Sequence, residues 1–110
     1  MKKIQLLSLL AAGTVLASFT GPSGAKKASV AEAKGMADDA FVIIQGNITQ
    51  GLGDEKYVFT DGKDTITVEI DDEDWKGLNV GPDDVVVITG EVDKSWNNVE
   101  IDVDEIVLAK

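Results

Sequence analysis

Several residue types that carry much of protein chemistry are missing from this chain. It has no Cys and no His, and all ten of its basic residues are Lys, so it has no Arg either. Without Cys there can be no disulfide, no thiolate metal site and no cysteine nucleophile. Without His, neither a Ser-His-Asp nor a Cys-His arrangement can be assembled. Without Arg, the planar two-pronged grip on phosphate is lost. Aromatic residues make up 5% of the chain, which leaves few rings for base stacking. Catalysis of the common nucleophilic kinds is thereby excluded, and no dinucleotide or Walker fingerprint, hence no cofactor, is implied.

What is present in excess is acid. Twenty Asp and Glu face the ten Lys, for a formal charge of −10. Such a surface repels nucleic-acid phosphates and anionic lipid head groups, and favours cations or basic partners. A length of 110 residues leaves room for one small domain.

Lys2 and Lys3 open the chain, and Ile4 to Leu16 is an apolar run broken by Gln5, Ser8, Gly13 and Thr14. This pattern reads as a secretory signal peptide over 1–17 and is too short to span a bilayer. Cleavage is expected after Ala17, with Val15 at the −3 place, and a second candidate follows Ala25. Removal of Lys2 and Lys3 without any acid turns −10 into a mature charge of −12. The chain is therefore expected to be exported.

Residues 18–28, rich in Gly, Ser, Ala and Lys with Gly21-Pro22 among them, read as a flexible lead-in to a domain spanning 29–110. Ser29 with Glu32 three residues on is a capping box, so a helix is expected from Val30 to near Asp38-Asp39, weakened by Gly35 and closing one end of a sheet or barrel. Five strands follow. Phe41–Thr49 is the first, with a bend at Gly46, and Gln50–Glu55 is a loop. Lys56–Thr60 and Thr65–Ile70 flank the Asp61-Gly62 turn, and a longer connection runs over Asp71–Asp84.

The last two strands form a hairpin. Val85, Val87 and Thr89 alternate with Val86, Ile88 and Gly90, and Val99, Ile101 and Val103 alternate with Glu100, Asp102 and Asp104. One face of the final strand is therefore apolar and the other anionic. Asp93, Asn97 and Asn98 supply residues that tolerate left-handed turns between them. Five short strands with one long connection suit an all-β, five-stranded Greek-key barrel of OB type, because an open meander would leave two edges and an under-covered apolar face.

From Val30 to Ile106 the chain resembles the bacterial OB-fold (BOF) family, small periplasmic stress-tolerance proteins of the YgiW/YdeI type. The residues that carry this likeness include Gly46-Asn-Ile, Tyr57-Val-Phe, Trp75-Lys-Gly, Gly90-Glu-Val-Asp-Lys and Trp96-Asn-Asn-Val-Glu-Ile-Asp-Val. The resemblance implies an OB barrel, a link to envelope or oxidative stress, and no established catalysis. It brings no agreed set of ligand residues.

Binding candidates therefore come from the residues alone. Tyr57 and Phe59 sit where an OB barrel would stack bases, but their neighbours Thr65, Thr67 and Glu69 bring no positive charge, so both are expected in the core. Trp75 and Trp96 each lie in a connection. Each is a ligand-stacking candidate, with capping of a barrel end as the plainer expectation. For a cation, Asp72 and Asp74 hold the first and third places of a calcium-like loop, and Asp93 and Asn97 hold the first and fifth of another. Neither has the Glu at the twelfth place, so hydrated loops are expected. The sequence thus favours a non-enzymatic, monomeric periplasmic binding or adaptor protein for a small molecule, an envelope component or a protein partner. An acidic cation-binding protein is the alternative.

Overall fold

The computed structural model describes residues 25–109. The signal peptide expected over 1–17 and residues 18–24 lie outside that range. Eight elements follow in order: β1 (Lys26–Lys27), α1 (Val30–Lys34), β2 (Phe41–Gly53), β3 (Lys56–Thr60), β4 (Thr65–Ile70), a 3₁₀ turn (Asp72–Trp75), β5 (Val86–Ser95) and β6 (Asn98–Leu108).

The five long strands close on themselves. β2 pairs antiparallel with β5 through Phe41–Gly46 and with β3 from Asn47 onward. β3 pairs with β4, β4 lies parallel to β6, and β6 pairs with β5. The ring is therefore β2-β3-β4-β6-β5 and back to β2, the Greek-key OB arrangement expected. One side chain in two points inward. Ile44, Phe59, Ile66, Val68, Ile70, Ile88, Val92, Ile101 and Val103 are all buried, Phe59 among them as expected, while Tyr57 is half-buried against this core.

Two glycines let the ring close. Gly46 lies where β2 leaves β5 for β3, and a Cβ there would collide with the Thr60 carbonyl oxygen. Gly90 lies at the one register shift between β5 and β6, where a Cβ would strike the Asp102 carbonyl oxygen. That shift passes over Asp104. Ile101 and Val103 face inward before it, and Ile106, three residues after Val103, faces inward beyond it.

α1 plugs one end with Val30 and Ala33, both without solvent exposure. Its capping box is complete: the Glu32 N–H donates to Ser29 Oγ at 3.0 Å, and the Ser29 N–H donates to Glu32 Oε1 at 2.8 Å. A third tie is not local. The Val30 N–H donates to Asp61 Oδ2 at 2.9 Å, so the β3–β4 turn holds the helix onto the barrel.

The structure departs from the sequence reading at several places. The helix stops at Lys34 with Gly35 as its cap, short of Asp38-Asp39, because Gly lowers helix propensity at the residue where the chain must turn. The first strand runs on to Gly53, so the loop expected over Gln50–Glu55 shrinks to the Asp54-Glu55 turn. Both turn residues take positive φ, the pairing a tight hairpin needs. The segment read as a flexible lead-in contains β1, whose Lys26 and Lys27 pair parallel with Val42 and Ile43. Trp96 and Asn97 turn the last hairpin without positive φ.

Ile101 has no exposed surface, so Ile101→Ala should cost about 2–5 kcal/mol of the ~5–15 kcal/mol that such a domain holds. Gly90→Ala should cost at least about 1–3 kcal/mol, since backbone on the facing strand cannot yield as a side chain can. Urea titration of the two variants checks both values.

Candidate functional site

The outer surface of the ring divides into two regions of opposite chemistry. On β4, β6 and β5 the outward positions include Glu69, Glu91, Asp93, Glu100 and Asp102, and the register sets these acids side by side. Glu69 stands opposite Asp102, and Asp102 stands opposite Glu91, so three carboxylates cross three strands in one row. Asp93 faces Glu100 in the next row. Like charges directly opposite one another destabilise a sheet. Relief comes from Lys56 on β3, whose Nζ lies 3.1 Å from Glu100 Oε1; this is the one ion pair among the described residues.

Proton affinities record the crowding. Partial burial and the neighbouring Asp102 hold Glu69 above the usual carboxylate range. Partial burial followed by Asp104 does the same for Glu91 and for Asp102, and Asp104 is raised by burial and by Asp74. The Glu100 carboxylate, by hydrogen bond and charge, raises Lys56. Asp61 moves the other way. Backbone N–H groups of Asp64, Val30 and Lys63 donate to it and draw it down to about 2 from an ordinary 3.8.

One group of carboxylates gathers as a cation site would need. Oxygens of Glu55, Glu69 and Asp71 lie within 4.8 Å of one another. Glu55 reaches them because its turn folds back: the Ile70 N–H donates to its carbonyl at 2.9 Å and the Asp72 N–H to its Oε2 at 2.9 Å. The cation candidates read from the sequence are not drawn together. Asp72 and Asp74 sit on the 3₁₀ turn, Asp93 on β5 and Asn97 in the last hairpin turn. Glu55 and Glu69 escape a sequence reading because strand register, which a single chain does not display, brings them together.

The second region surrounds the β5–β6 turn. Trp96 stands there 95% exposed, so it does not cap the barrel. Trp75 does pack inward, edge-on to Tyr57 with ring centres 5.4 Å apart. The segment after α1 is tied to β5: the Asp39 N–H donates to the Val92 carbonyl at 2.7 Å, and the Lys94 N–H to Asp38 Oδ1 at 2.8 Å. These bonds bring the end of α1, and Lys34 with it, beside the hairpin. A hollow of about 490 Å³ results, with Lys34, Lys94, Trp96, Asn97 and Asn98 in its wall. A neighbouring hollow of about 250 Å³ shares Lys34, Asn98 and Val99 and continues over Thr65 and Thr67. Neither wall contains a carboxylate.

The two pKa directions set a pH profile. Glu69, Glu91, Asp102 and Asp104 take up protons in the folded state while the unfolded chain is still ionised, so stability rises as pH falls from neutral toward the ordinary carboxylate range. Asp61 contributes stability that is full above its ordinary 3.8 and is lost as pH falls through about 2. Melting temperature should therefore peak under mildly acidic conditions. Asp102→Asn should flatten the neutral limb, and Asp61→Asn should flatten the acid limb.

With the geometry in view, likeness to known proteins bears on identity. The family model "Bacterial OB fold (BOF) protein" matches residues 11–108. Protein YgiW of Escherichia coli (strain K12) is 49% identical over 100 residues, covering 80% of this chain and 77% of that protein. The solved structure of YgiW from E. coli superposes with a TM-score of 0.76 at 48% identity, covering 84% of this chain and 98% of that one. The calcium-regulated OB-fold protein CarO of Pseudomonas aeruginosa is 33% identical over 108 residues, covering 97% of this chain and 93% of that protein. The closed five-strand ring and the family match along almost the whole chain lead to one conclusion: this protein belongs to the bacterial OB-fold family.

Proposed function

We propose that this protein is a non-enzymatic binding or adaptor module of the periplasm, exported by the 1–17 leader and acting in the envelope stress response. The observation that carries this reading is Trp96, 95% exposed on a hairpin whose adjoining hollows hold lysines, amides and hydroxyls but no carboxylate. An indole left in water forgoes the burial that rings of its size normally obtain, and such rings are enriched where proteins meet partners. The hairpin between the last two strands is also one of the loops that OB barrels use for ligands. The acidic β4–β6–β5 face supports the exclusion of nucleic acid, since it repels phosphate. The absence of His and Cys supports a role without nucleophilic catalysis.

Mature protein immobilised and exposed to periplasmic and detergent-solubilised envelope extracts should retain specific components. Trp96→Ala should lose them while keeping its melting temperature. Equal retention by both proteins would sink this reading.

A second reading, cation binding, is favoured by Glu55, Glu69 and Asp71 and by the calcium-regulated relative. The two readings differ in response to salt. Under the first, NaCl raises the melting temperature by screening the excess negative charge, and CaCl₂ at matched ionic strength adds little. A large extra rise with CaCl₂ that disappears in Glu69→Gln would establish the second.

A further inference from the structure

The chemistry of the Trp96 region narrows what it can hold. Among the other large apolar side chains of the described residues none exceeds the 48% exposure of Leu52, so Trp96 stands apart. It is carried on a two-residue turn between the paired Ser95 and Asn98. An indole has two side-chain torsions, so fixing it in a complex costs little entropy. Lys34 and Lys94 flank it, and neither takes part in an ion pair among the described residues. The two hollows adjoin through Lys34, Asn98 and Val99, which line both, and together make a track from Trp96 to Thr67 and Thr65. In a chain with twenty acids, a track walled without any is a marked local exception.

We propose that this track takes an extended acidic peptide segment of a partner protein. An apolar ring or proline of the peptide packs on the Trp96 indole, its backbone meets the amide and hydroxyls of Asn98, Thr65 and Thr67, and its carboxylates meet Lys34 and Lys94. Two lysines suffice for two carboxylates. They are too few for a nucleic acid, whose remaining phosphates would face the acid row on β4, β6 and β5. They are also too few for an anionic membrane, whose recognition takes clusters of about 4–8 basic residues. The nearest acid, Glu100, stands opposite Thr67 and accepts from Asn98 Nδ2 at 3.1 Å, but its charge is paired with Lys56; acids more than about 8 Å away are screened at physiological salt.

This inference rests on the binding-module reading, and one experiment separates the two. Trp75→Phe leaves Trp96 as the sole indole, so its fluorescence reports on the track alone. The probes are synthetic peptides in which a proline or tyrosine is flanked by Glu, by Gln or by Lys, together with phosphatidylglycerol vesicles. Glu-flanked peptides should shift the emission to the blue and bind about tenfold tighter than Lys-flanked ones, a difference of about 1.4 kcal/mol. Trp96→Ala, followed by a labelled peptide, should weaken binding by about tenfold or more. Lys34→Glu combined with Lys94→Glu should invert the preference toward Lys-flanked peptides, an outcome that loss of folding cannot imitate. Indifference to peptide charge, or binding that survives Trp96→Ala, would overturn the proposal. So would a blue shift with the vesicles and with no peptide. If no peptide binds while envelope components are still retained through Trp96, the acidic peptide falls and the binding module stands. If retention fails as well, both fall.

Discussion

The structure depends on one crowded requirement: a single strand must serve two neighbours and change between them within one residue. β2 gives Phe41–Gly46 to β5 and the remainder to β3. At the change the β3 backbone comes so close that only hydrogen fits on the Gly46 Cα. The same demand returns on the far side of the ring at Gly90 against Asp102. Between these two points the inward side chains meet as one core rather than as two half-covered sheets. Closure also removes the long free edges that an open sheet would present to other chains.

Much of this was legible in the chain because a strand has a period of two. Ile66-Thr-Val-Glu-Ile and Val99-Glu-Ile-Asp-Val each declare an inner and an outer face, and both declarations hold through Ile101 and Val103. The pattern breaks at Asp104-Glu105, where a bulge moves Ile106 inward; alternation cannot announce an inserted residue, and Gly90 opposite is its one trace. Capping chemistry was equally legible, since Ser29 and Glu32 act through backbone three residues apart. Asp61 was not, because its partner Val30 is distant in sequence.

The site was less legible than the fold for the same reason. Trp96 could be named as a candidate, but its setting depends on hydrogen bonds from Asp39 and Lys94 that carry the end of α1 to the hairpin. Lys34 reads as an ordinary helix-surface residue until that packing is known. The acid row likewise needs the register of β4, β6 and β5; along the sequence Glu69, Glu91 and Asp102 are unrelated charges. The two chemistries are separated by topology rather than by position in the chain.

The parallel pairing of β4 with β6 has a consequence for how the molecule comes to exist. β6 is the last of the described strands, and it supplies the pairing for both β4 and β5. β2, the first long strand, must wait for β5, whose pairing residues lie more than a third of the chain away. Two of the five seams of the ring are thus joined by β6, which follows the other four strands in the chain. Local hairpins such as β2–β3 and β3–β4 can flicker into being, yet none of them buries a core. A ring knitted from such distant segments belongs to the slow class of small domains, folding in about milliseconds to seconds. Until β6 takes its place between β4 and β5, the barrel has no closed wall.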